Sequence, residues 1–77
     1  MTKTKMLEKL VLMYKDRYEA KRETLEILKF DTLTEDERKV FHAMFDKEYT
    51  QCQMLEDVAK ELFDVNLFTM YLDIKFA

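Results

Sequence analysis

The sequence contains one imidazole, His42, and one thiol, Cys52. If both lie on one straight helix, their separation along it is about 15 Å, too far for a nucleophile and its base. Asp46 follows His42 by one helical turn, with Glu35 and Lys39 nearby. That supplies two metal ligands, whereas zinc centres draw on three or four. His42 is therefore read as a surface helical residue and Cys52 as a buried, unreactive one. The absence of Ser removes serine-based acyl transfer, and the absence of Gly removes the loops that let backbone approach a phosphate. No cofactor, metal or small-molecule substrate is implied, and the expectation is a protein that is not an enzyme.

Two other charged residues sit where charge is unexpected. Lys21 interrupts the apolar row Leu7, Val11, Tyr14, Tyr18, Leu25 and Leu28, and Glu48 interrupts the row Phe41, Phe45, Cys52, Leu55, Ala59 and Leu62. Both rows advance in alternating steps of four and three residues, the spacing of a heptad seam. Lys21 and Glu48 either turn partly to solvent or pair across an interface and fix its register.

Those seams define the elements that must carry them. The first helix is expected over residues 4–30, widened by Met6, Leu10, Met13, Ala20 and Ile27. Its stretch from Asp16 to Thr24 is mostly polar and is expected to be the least buried. A break follows at Asp31-Thr32-Leu33-Thr34. Thr34 with Glu37 forms a capping-box pattern, and Glu35, Asp36 and Glu37 suit the positive end of a helix. Leu33 stands at the staple position, but its expected partner is Arg38, so the staple is incomplete. The second helix is expected over 35–64, widened by Val40, Met44, Tyr49, Met54, Val58 and Phe63. Glu35–Lys39 and Glu56–Lys60 are spaced to pair along it. Asn66 is a cap or stop. Over 67–76, Leu67, Met70, Tyr71 and Ile74 share a helical face, while Phe68, Met70, Leu72, Ile74 and Phe76 also alternate as a strand would. The helix is favoured, because a strand would lack a partner in the chain.

Composition points the same way. The chain has 77 residues with neither Gly nor Pro, which leaves it poorly supplied for the turns of a β fold. With 48% hydrophobic and 38% charged residues it reads as one folded helical domain over 1–77 with a solvated surface. A lone cysteine excludes an internal disulfide, and the run Leu10–Tyr14 is far too short for a membrane span. A cytoplasmic setting is the default expectation. Residues 1–30 carry eight Lys/Arg against five Asp/Glu, and residues 31–77 carry five against eleven. A basic first helix beside an acidic second one, in the same chain or a partner copy, accounts for this.

The architecture expected is thus all-α: a long antiparallel helical hairpin with a short third element, completed by dimerisation into a four-helix bundle. A third helix of roughly 15 Å cannot cover the side of helices some 40–45 Å long. The six Met and ten Phe/Tyr residues supply adaptable and anchoring contacts. The leading expectation is a helical protein-interaction module, a homodimer that regulates, inhibits or adapts a protein partner, of the accessory kind found in bacteria and phages. The alternative is nucleic-acid binding through Lys15, Arg22 and Lys29, with Lys5 and Lys9 near one end. Glu8, Glu26 and the acidic second half weigh against it.

Overall fold

The computed structural model describes residues 3–76. Three helices account for nearly all of them: α1 (Lys3–Leu28), α2 (Glu35–Phe63) and α3 (Leu67–Lys75). Among the described residues there is no strand, so the third element takes the helical alternative. None of these helices is long and apolar enough to cross a membrane. The molecule is elongated, 47 × 25 × 18 Å, as two helices of this length side by side require.

Local chemistry sets the ends. Helix α1 finishes two residues earlier than its periodicity suggests, and Lys29 and Phe30 tighten onto the carbonyls of Glu26 and Ile27 at 3.2 and 3.1 Å. Two bonds from the Arg38 guanidinium, to the carbonyl oxygens of Leu28 at 2.9 Å and Phe30 at 3.0 Å, then tie the connection to the first turn of α2. The residue that leaves the staple incomplete thus satisfies the open end of α1. The capping box forms in full: Thr34 Oγ1 accepts from the Glu37 N–H at 3.1 Å, and Glu37 Oε1 accepts from the Thr34 N–H at 2.9 Å. Helix α2 ends at Asp64, which adopts a left-handed conformation with φ of 53° and donates to the carbonyls of Ala59 and Lys60. Asn66 caps the start of α3, its side chain accepting from the Thr69 N–H at 3.0 Å.

Contacts between the long helices run in opposite senses along the two. The Lys3 ammonium lies 5.8 Å from the centre of the Phe63 ring, Thr24 bonds Glu48, and Arg38 reaches Leu28. Helix α3 folds back over the end of this pair, bringing Leu67 and Phe68 to Val11, Tyr14, Tyr18 and Ala59. Tyr71 stacks on Tyr14 with ring centres 6.2 Å apart and meets Tyr18 at 4.9 Å. Val11, Tyr14, Ala59, Leu67 and Tyr71 are all buried, and each large side chain among them contributes roughly 1.5–3 kcal/mol.

The middle of α1 departs from expectation. Thr24 is 3% exposed, and Arg17, Tyr18, Ala20 and Lys21 are partly covered, so the polar stretch is not the least buried part of the helix. Leu25 and Leu62, placed in the seams by strict heptad spacing, are 43% and 61% exposed. In a straight α-helix Leu25 keeps the azimuth of Leu7, five turns earlier, on the side where α3 meets Tyr14 and Tyr18, whereas Thr24 turns toward Glu48 on α2. The Glu35–Lys39 and Glu56–Lys60 pairs are not closed; the ion pairs among the described residues are Asp16–Arg17 and Glu26–Lys29.

Replacing Thr34 with Ala should lower stability by about 0.5–2 kcal/mol, read as a shift in the urea midpoint. The bond from the Thr34 backbone N–H holds the Glu37 carboxyl below its ordinary value. Its contribution is therefore present above the unfolded-state pKa and lost as pH falls through the folded one. Glu37→Gln should flatten the acid limb of the stability profile.

Candidate interaction site

The residues singled out for chemistry remain apart. His42 is exposed and Cys52 is buried on the same helix. Burial pushes the Cys52 thiol above its ordinary pKa, against a smaller opposing influence of Lys21. Among the described residues no group of three His, Cys, Asp or Glu side chains gathers where it would hold a metal ion.

The two charges that interrupt the seams follow separate courses. Glu48 is buried, and its Oε1 lies 2.7 Å from the Thr24 hydroxyl. That hydroxyl has one proton, with the Ala20 carbonyl as a farther acceptor at 3.0 Å, so the carboxylate is the better placed of the two. Lys21 instead places its ammonium over two rings, Tyr18 at 4.6 Å and Tyr49 at 5.4 Å. The cross-helix tie is therefore Thr24–Glu48, with Lys21 bridging the helices through a cation–π contact to Tyr49. Periodicity points to Glu48 but hides Thr24, because Thr24 is a polar residue outside the heptad row.

The remaining seam residues divide by depth. Val11, Tyr14 and Cys52 are buried; Leu7, Tyr18, Leu28, Phe41, Phe45 and Leu55 are partly covered; Leu25 and Leu62 face out. Burial drives the Tyr14 phenol well above its ordinary pKa, so it stays neutral and acts as packing.

Two apolar grooves are left. One, of about 380 Å³, lies between α1 and α3 and is lined by Leu7, Val11, Leu12, Met70 and Ile74, with Thr4 and Glu8 at its edge. Leu12 and Ile74 are 64% and 56% exposed there. The second, of about 210 Å³, lies between α1 and α2 on their open side, lined by Met6, Leu10, Met13, Val58, Leu62 and Phe63 with the Lys9 side chain. Farther along the α1–α2 junction Arg17, Met44, Lys47, Glu48 and Gln51 form a polar stretch, in which Gln51 Oε1 is buried with no hydrogen-bond partner among the described residues. The first two surfaces are apolar and the third is polar. Comparison with known protein families, curated proteins and solved structures finds no match to the chain.

Two measurements check this arrangement. Thr24→Val should cost roughly 1–3 kcal/mol, because it leaves a buried carboxylate without its donor. Thr24→Val combined with Glu48→Leu should cost less than the sum of the single changes, and a double-mutant cycle reads the difference. Separately, Cys52 should react with a thiol reagent far more slowly in the native protein than in urea, since its sulfur is buried and its thiolate disfavoured.

Proposed function

We propose that this chain is a non-enzymatic helical protein-interaction module, an antiparallel hairpin that dimerises into a four-helix bundle and acts as a small regulator, inhibitor or adaptor. The observation that carries the reading is the groove between α1 and α3, where Leu12 and Ile74 stand out beside Leu7, Val11 and Met70. Around Leu12 one turn of α1 is apolar on every side, made by Leu10, Val11, Met13 and Tyr14 with it. A helix that is apolar all round normally belongs inside an assembly. Here α2 and α3 cover part of that circumference, and the outermost side chain, Leu12, is left for a partner. A partner helix offering apolar side chains one turn apart fits such a groove.

Photo-crosslinking in cells that naturally carry the chain tests this. A photoreactive residue at Leu12 or Ile74 should capture the same partner, and one at Asp46, on the exposed surface of α2, should not. Leu12→Asp should abolish the capture while leaving helix content unchanged. Adducts that are absent, or alike at all three positions, would overturn the reading.

A further inference from the structure

We infer that a second copy of this chain covers the open side of the α1–α2 pair about a twofold axis parallel to the helices, so that each α1 lies on the partner's α2. The inference rests on the dimer proposed above and adds its topology. Two twofold arrangements bring the open sides together. An axis across the helices stacks α1 on the partner's α1 and α2 on the partner's α2. An axis along them stacks α1 on the partner's α2, with like ends of the two copies adjacent.

Charge separates the two. Helix α1 carries seven Lys/Arg and five Asp/Glu, whereas α2 carries four and eight. Stacking like helices sets acidic α2 against acidic α2, while the lengthwise axis gives every α1 two acidic neighbours and every α2 two basic ones. Apolar surface agrees. The open groove of Met6, Leu10, Met13, Val58 and Leu62 lies toward one end of the pair, near the start of α1 and the finish of α2. Only the lengthwise axis lays this patch on its own counterpart; the crosswise axis would set it against the opposite, more polar end. The same axis brings Arg17 level with the partner's Gln51, the side chain whose oxygen lacks a donor. Arg17, which also pairs with Asp16 on its own helix, would there meet a buried amide within the polar stretch beyond the apolar patch, a directional contact of the kind that fixes register.

Sedimentation equilibrium and a spin label together test the inference. The full chain should sediment as a dimer at micromolar concentrations, and Leu62→Glu should weaken association by at least ~10-fold. Leu62 is largely exposed in the single chain, so the variant should keep its helix content. If it unfolds instead, Arg17→Glu should still weaken the dimer, whereas the control Arg22→Glu should not. A spin label on Asp31→Cys, at the α1–α2 connection, should report a separation of roughly 30 Å or less, because both connections lie at one end of a bundle with neighbouring axes 8–10 Å apart. A monomer at every concentration would overturn the dimer itself. A dimer whose labels lie near or beyond the 47 Å long axis of the single chain would overturn the topology and leave the dimer standing.

Discussion

The governing constraint is one of coverage. Two helices of 26 and 29 residues expose apolar side chains along both flanks of their junction, and among the described residues the only further element is a helix of nine residues. Because α3 spans roughly 13 Å at a rise of 1.5 Å per residue, it can close one end of one flank and no more. The chain spends its best packing there. Tyr14, Tyr18, Tyr71 and Phe68 meet ring against ring, and Leu67 fills the space above Ala59, a residue small enough to admit it. The absence of glycine does not prevent this fold-back, since Asp64 takes the left-handed turn that Gly would ordinarily supply.

What remains uncovered divides the molecule into surfaces of different character. The middle of the α1–α2 pair is held by polar contacts, the Thr24–Glu48 bond and the Lys21 cation–π bridge, and these give direction to an interface that apolar contact alone leaves free to slide. The end that α3 covers is bordered by two apolar grooves, both bounded by the first half of α1. That segment faces α2, α3 and two open surfaces at once, so its sequence is constrained on nearly every side. The second half of α1 is mixed and charged, consistent with having fewer surfaces to satisfy.

Much of the fold is legible in the residues. The capping box at Thr34–Glu37, the two 4-3 apolar rows and the missing turn residues place the long helices to within a residue or two of where they lie. The third helix is legible only as an alternative, because Leu67–Phe76 satisfies both a helical and a strand period and nothing local separates them. Details of the interface are less accessible. A strict heptad row places Ala59 inside correctly but also Leu25 and Leu62, which are exposed, and it leaves out Thr24, which is buried. Tyr71 is invisible as a core residue until α3 is known to fold back onto Tyr14. Arg38 reads from its spacing as a flaw in the staple, yet its long side chain reaches carbonyls eight and ten residues back in sequence.

That last feature bears on how the protein can change over time. Among the described residues the only positive backbone φ is at Asp64, so the reversal between α1 and α2 is built from conformations open to almost any amino acid. Residues Asp31 to Leu33 are thereby released from the backbone demands that usually restrict a tight reversal. Selection at this corner falls instead on a side chain outside it, the Arg38 guanidinium, whose forked donors hold the Leu28 and Phe30 carbonyls at the end of α1. Residues 31–33 are thus free to drift in sequence, and even to acquire a recognition sequence of their own, for as long as Arg38 and the Thr34–Glu37 capping box beside them are kept.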